Sequence, residues 1–243
     1  MQEPANRGWK RWMNRFWYVI DALREHAFKR GFIITFSGVD GAGKSTIIEN
    51  LVVELEKKYR KKVVVLRHRP SVLPMLSAWT KGGRVAAETQ AANTLPRQGT
   101  NRNRLSSLLR FAYYYTDYLL GQFVVNIKYV WRGYCVVYDR YYFDFINDSR
   151  RSNIHLPGGF IRMWYALLLK PRYNFFLYAD EGTILQRKKE LDGPTIRMLT
   201  EKYLTLFTRL GRKKGKARYI PIENKELPET LRVIRHSLQP TLL

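Results

Sequence analysis

The stretch FSGVDGAGKST (residues 36–46) decides how the rest of the chain is read. Gly38-Val39-Asp40-Gly41-Ala42-Gly43-Lys44-Ser45 satisfies the pattern G-x-x-x-x-G-K-[ST]. It stands between a short β-rich run, FIITFS (32–37), and a helical segment from Lys44 to about Tyr59. That strand–loop–helix setting is what the motif needs in order to work. Glycines let the backbone turn tightly enough for its N–H groups to face phosphate oxygens. The helix start adds the positive end of its dipole. Gly38, Asp40, Gly41, Ala42, Gly43, Lys44, Ser45 and Thr46 are therefore the expected contacts to a nucleotide phosphate chain. Lys44 reaches the β- and γ-phosphates, and the Ser45 hydroxyl is a candidate Mg²⁺ ligand.

Outward from this loop, strands and helices alternate. KVVVLRH (62–68) predicts a second strand stopped by Pro70, YCVVYD (134–139) a third, RYNFFLYAD (172–180) a fourth and ARYIPIE (217–223) a fifth, the weakest. Helices are expected over about 104–130, with a candidate break at Gly121, and over 182–190, 195–210 and 226–237. Residues 71–103 read as loop. Alternation of this kind predicts an α/β fold, a three-layer α/β/α sandwich around a five-stranded parallel sheet, of the P-loop NTPase class.

Two other P-loop classes fit poorly. A GTPase needs D-x-x-G and N-K-x-D. The first is absent outside the loop itself, and Asn224-Lys225-Glu226-Leu227 carries leucine where a carboxylate must read guanine. A motor ATPase wants an apolar strand ending in Asp-Glu, and FFLYADE (175–181) imitates one. Only 62 residues follow it, too few for such a machine's further elements.

Three segments resemble the thymidylate kinase family of P-loop nucleotide kinases: FSGVDGAGKST (36–46), VVYDRYYFD (136–144) and KPRYNFFLYADEGTILQRKKELD (170–192). The similarity spans roughly residues 31–237. It implies ATP and Mg²⁺ as cofactors and transfer of the γ-phosphoryl group to a nucleoside monophosphate or related small anion. On that reading Lys44, Asp139, Arg140 and Arg187 are the expected catalytic residues. Asp139, with Ser45, serves the metal or orients the acceptor oxygen, and Arg140 clamps an acceptor anion bidentately. In the family either the loop or a lid supplies a catalytic arginine. Gly41 occupies the loop position, so the lid at about 186–194 should supply it as Arg187. Acceptor contacts are expected from Arg67 or Arg69, Tyr115, Arg140 and Tyr141, although Tyr115 and its neighbours in FAYYYTDY (111–118) equally suit helix core packing.

Departures are as informative as matches. Ser37 replaces the family's glutamate, Arg67-His68-Arg69-Pro70-Ser71 replaces Arg-Glu-Pro-Gly, and the base-reading Asp-Arg of the central helix has no counterpart. The ATP site and transfer chemistry carry over on this reading; thymidylate itself does not.

The chain has 243 residues, with 43 Lys and Arg against 20 Asp and Glu, a net charge of +23. Such an excess favours anionic partners. RLGRKKGKAR (209–218) holds six basic and no acidic residues. Residues 1–30 read as a separate basic, Trp-rich amphipathic helix (8–29) ahead of a kinase-like domain over 31–243. That helix suits packing on the domain, on a second subunit in a homodimer, or on an anionic membrane. The alternative function is therefore a nucleotide-binding switch at a membrane or nucleic-acid surface, or a kinase for a non-nucleotide phosphorylated acceptor. One cysteine, Cys135, excludes an internal disulfide framework and a cysteine zinc site. With no signal-peptide pattern, the expected location is the cytoplasm, with peripheral membrane contact as a second option.

Overall fold

FIITFS forms β1 (Phe32–Ser37), the central strand. The computed structural model describes residues 12–15, 31–70, 73, 103–188, 190–213 and 215–242. The expected helix over 8–29 and the 71–103 loop therefore lie almost entirely outside the described residues. After β1 come α1 (Lys44–Lys57), β2 (Val63–Arg67), α2 (Arg104–Lys128) and β3 (Cys135–Asp139). Then follow α3 (Phe143–Asn147), α4 (Gly158–Trp164), β4 (Tyr173–Tyr178), α5 (Glu181–Arg187), α6 (Gly193–Gly211), β5 (Arg218–Glu223) and α7 (Leu227–Leu242). Short 3-10 turns occupy Val130–Arg132, Ser149–Ser152 and Tyr165–Leu167.

The five strands are all parallel and lie in the order β2-β3-β1-β4-β5. The sequence expectation of a three-layer α/β/α sandwich holds. Ile34, Phe36, Val137, Phe175 and Leu177 pack on one face with Ile47, Leu51 and Leu55 of α1 and Ile234 and Leu238 of α7. Val136, Tyr138 and Phe176 point the other way, into an aromatic layer built with α2, α3, α4 and α6. Covering both faces is the reason the strand sequences run nearly continuously apolar.

Two element ends depart from the sequence reading. α2 runs unbroken through Gly121, which is buried, and Asn103 caps its start by accepting from the Leu105 N–H at 2.9 Å. Burial of one whole face outweighs the roughly 1 kcal/mol propensity cost of a helical glycine. α7 continues to Leu242, because Leu238 and Leu242 still reach the β-sheet core after the predicted stop at 237.

A buried polar contact fixes the register of β1 against β4. Thr35 and Asn174 are paired residues, and Thr35 Oγ1 donates to Asn174 Oδ1 at 3.0 Å. Asn174 Nδ2 donates to the carbonyls of Pro171 at 2.9 Å and Arg218 at 3.1 Å, tying in the entrance to β5. Removing the amide leaves the buried Thr35 hydroxyl and the carbonyls of Pro171 and Arg218 short of this partner. Asn174→Ala is expected to lower stability by about 1–3 kcal/mol, more than Thr35→Val, which removes only one member of the set. Urea unfolding of the two single variants and the double variant measures this, with the two losses non-additive.

Candidate functional site

Strand register builds the site. Arg67 of β2 and Phe36 of β1 both lie opposite Asp139 of β3, so the three carboxyl-terminal strand ends finish level with one another. The loop 38–43 leaves β1 at this rim and delivers Lys44 as the first residue of α1. A cavity of about 590 Å³ opens there, lined by Asp40, Gly41, Gly43, Lys44, Ser45 and Thr46 from the loop and helix start. Arg67, His68, Asp139, Arg140, Arg151, Arg187 and Lys188 complete the wall. Six of these side chains are Lys or Arg and two are Asp, as expected for a chamber that takes phosphates.

The glycines do physical work at two positions. Gly43, at φ +82°, has no room for a side chain: an added Cβ would lie 2.4 Å from Asn224 Nδ2. Asn224 donates to the Ala42 carbonyl at 2.8 Å and so pins the loop from the end of β5. Gly41, at φ +88°, lies against Ile184, whose carbonyl and methyl an added Cβ would meet at 3.1 Å. A side chain at this position would therefore meet both an unfavourable backbone conformation and a tight neighbour. Arg187, last residue of α5, lies across the loop, its Nη1 within 3.6 Å of where a Gly43 Cβ would be.

Lys44 is buried, and its ammonium donates to the Gly38 and Val39 carbonyls, both at 2.9 Å. Burial first, and then the neighbouring Arg140, lower its pKa to about 7, against the partial opposition of Asp40, Asp144 and Asp139. Beneath it, Asp40 receives Arg140 on one carboxylate oxygen and Arg151 on the other. Arg140 also donates to Asp144 Oδ2 at 2.9 Å, and Tyr203 of α6 donates to Asp144 Oδ1 at 2.6 Å. Burial alone would raise the Asp40 pKa, but Arg140, Lys44 and Arg151 together hold it below the ordinary carboxylate range. Arg140 itself sits at φ +75°, a strained value for a non-glycine residue. Its N–H bonds the Phe36 carbonyl at 2.8 Å. The guanidinium proposed as a pure acceptor clamp is thus already committed on two sides to carboxylates.

Asp139 Oδ1 is buried and has no hydrogen-bond partner among the described residues. Asp139, at the end of β3, and Ser45 line the same cavity, so an oxygen-ligand pair suited to Mg²⁺ is brought to one place.

The structure separates the expected acceptor residues. Arg67 faces the cavity. Arg69 does not: it is buried, paired with Asp117 of α2 at 3.0 Å and stacked 5.3 Å from the Tyr114 ring. Tyr115 and Tyr141 also turn away from the chamber. Tyr115 donates to the Trp164 carbonyl at 3.1 Å and Tyr141 to the Leu169 carbonyl at 3.2 Å, and both rings lie in the aromatic layer. Their hydroxyls donate to backbone carbonyls, and neither residue lines the chamber. Arg151, Asp144 and Asn224 were missed by sequence reasoning as site residues. His68, set between two arginines, had a local signal. It lies at φ +64°, held by Tyr118, which donates to its carbonyl. Burial, and then Arg140, lower its pKa to about 4, so it lines the chamber as a neutral imidazole.

No family model matches the chain. Among solved structures, thymidylate kinase from Ehrlichia chaffeensis is similar at 15% identity and a TM-score of 0.58, covering 86% of this chain and 100% of that one. Thymidylate kinase from Candida albicans is similar at 17% identity and a TM-score of 0.52, over 87% of this chain and 92% of that one. At such identities the likeness is one of fold: the chain has the P-loop kinase fold that thymidylate kinases share. Among the described residues, no helix is long and apolar enough to cross a membrane.

The Asp40 network makes a stability prediction with a definite sign. Asp40→Asn leaves Arg140 and Arg151 short of a carboxylate in a buried site and is expected to cost about 3–5 kcal/mol. The Asp40 pKa is lowered on folding from an unfolded value near 3.9. Its contribution is therefore fully present above about pH 5 and is lost as pH falls through the folded value. Denaturant unfolding from pH 3 to pH 6, below the range in which Lys44 titrates, should show a deficit for the variant that is largest near pH 5–6 and shrinks towards pH 3.

Proposed function

We propose that the protein is an ATP- and Mg²⁺-dependent phosphotransferase that moves the γ-phosphoryl group of ATP to a nucleoside monophosphate or related small anionic acceptor. The observation that carries this reading is the convergence of Lys44, Asp139, Arg140 and Arg187 on one cavity, with Arg67 and Arg151 adding charge beyond the loop's own. A nucleotide's phosphate chain alone does not call for that surplus; a second anion beside it does. The solved thymidylate kinases, similar in fold, make a nucleotide the favoured acceptor class.

Phosphoryl transfer depends on positioning and charge neutralisation more than on covalent help from the protein. The loop N–H groups and Lys44 hold the β- and γ-phosphates. Ser45 and Asp139 are the residues that would hold Mg²⁺, which when bound neutralises charge on those phosphates. Arg67 and the remaining donors of Arg140 hold the acceptor's anionic group, so that its oxygen faces the γ-phosphorus. The bond from that oxygen to phosphorus forms as the bond to the β–γ bridging oxygen breaks, and ADP departs. Arg187 neutralises the charge spread over the transferring group, from a helix end that sets it over the loop.

Two measurements test the reading. ADP production from Mg-ATP is followed across nucleoside monophosphates, nucleosides and sugar phosphates. Acceptor-stimulated turnover is expected with a nucleoside monophosphate and is abolished by Lys44→Ala. Arg187→Ala is expected to lower kcat about 10³-fold or more, with little change in the KM for ATP. Stimulation only by sugar phosphates moves the acceptor outside the nucleotides, and ATP binding with no stimulation by any acceptor overturns the phosphotransferase.

The second measurement uses the Lys44 pKa of about 7. Phosphates brought against the ammonium favour its charged form and raise that value. At pH 8 nucleotide binding is therefore expected to be accompanied by proton uptake, seen as a calorimetric enthalpy that changes with buffer ionisation heat. At pH 8 that uptake is expected to be lost in Lys44→Met.

A further inference from the structure

The basic stretch 209–218 has no part in the chamber just described. It lies at the opposite rim of the sheet, where the last turn of α6 leads into β5. There it walls a second cavity, of about 610 Å³, with α4 and the 165–167 turn on the other side. Five cations line this cavity: Arg162, Lys170, Arg209, Lys213 and Lys216. No Asp or Glu lines it, and none of the five is ion-paired with a described carboxylate. Its floor holds the hydroxyls of Tyr165 and Tyr219, hydrogen-bonded to each other at 2.9 Å.

Three observations mark the cavity as more than a solvated charge run. The cations line one partly open cavity whose volume falls within the range of small-molecule sites, about 300–1,000 Å³. Lys170 is anchored: its ammonium donates to the Ala166 and Leu168 carbonyls, both at 2.5 Å, which leaves one of its three protons for a ligand. Partial burial, and then Lys213, lower the Lys170 pKa, so the cluster is self-repelling as it stands. An anion relieves that repulsion. The six residues of β5 separate the two rims by roughly 17 Å, so the second cavity cannot be a subsite of the first.

We infer that this cavity is a second anion site, taking a ligand with clustered phosphate groups, independent of the P-loop. Two sources offer that chemistry, a free polyphosphate or nucleotide and the headgroups of an anionic lipid surface, and the charge cluster is complementary to either.

The test uses the full-length Lys44→Ala chain, which silences the P-loop. Inorganic triphosphate is titrated calorimetrically at 150 mM salt. In parallel, phosphatidylglycerol vesicles are compared with phosphatidylcholine vesicles in a flotation assay. Saturable binding is expected in at least one arm, weakened tenfold or more by Arg162→Ala/Lys213→Ala or by Lys170→Met/Lys216→Ala. Lys61→Ala/Lys62→Ala, on the same rim but at β2, four strands away, should leave it unchanged. The responding arm identifies the source. Binding lost with Lys44→Ala alone, binding weakened equally by the β2 pair, or no saturable binding in either arm overturns the inference.

Discussion

Arg140 holds the molecule's two halves in register. Its guanidinium lies between Asp40 of the phosphate loop and Asp144 of α3, and Asp144 is in turn held by Tyr203 of α6. A buried charge is tolerable only when it is paired and hydrogen-bonded. Every element that contributes a partner is therefore fixed relative to the others. A shift of the loop would cost Arg140 one of its two carboxylates, and a shift of β3 would cost Asp40 one of its two guanidinium partners. The strained backbone at Arg140 is the local cost of pointing one side chain at both carboxylates.

The aromatic layer does for the opposite face what this ion network does for the loop. Tyr115, Tyr118, Tyr141, Tyr142 and Tyr165 are buried together, with edge-to-face and stacked contacts among them. Each of the first four hydroxyls donates to a main-chain carbonyl, that of Trp164, His68, Leu169 or Ile161. Tyrosine in this setting is a core residue with a built-in tether. The tether from Tyr118 to His68, together with the Arg69–Asp117 pair, shapes the turn after β2 that sets His68 at the chamber wall. Residues that a tyrosine-rich helix suggests as substrate contacts act one step behind the site.

Charge is distributed by rim rather than evenly. The segments that enter β2, β4 and β5 (residues 58–62, 168–172 and 211–217) hold many Lys and Arg and no Asp or Glu. The carboxylates that matter to the site, Asp40, Asp139 and Asp144, all lie at or beyond the strands' carboxyl ends. The positive excess thus gathers in two clusters of different kind: one around the P-loop with carboxylates set among its cations, and one across the sheet with no carboxylate in its lining.

What the sequence by itself determined was the local machinery. The motif at 38–45 and the apolar runs at 32–37, 135–139 and 173–178 are contiguous, so their physics is readable from neighbours alone: turn-permitting glycines, a helix start, strands buried on both faces. Lys44 and Ser45 at the helix start, and Asp139 at the end of its strand, followed from them as site candidates. The tertiary structure decided what depends on residues distant in the chain. Arg151 and Asp144 reach Asp40 and Arg140 through folding of the 143–152 segment. Asn224 reaches Ala42 across 182 positions. Arg67 and Arg69, two residues apart on one extended segment, were indistinguishable in sequence. They part because Asp117, on a helix some fifty residues later, captures one and leaves the other at the chamber wall.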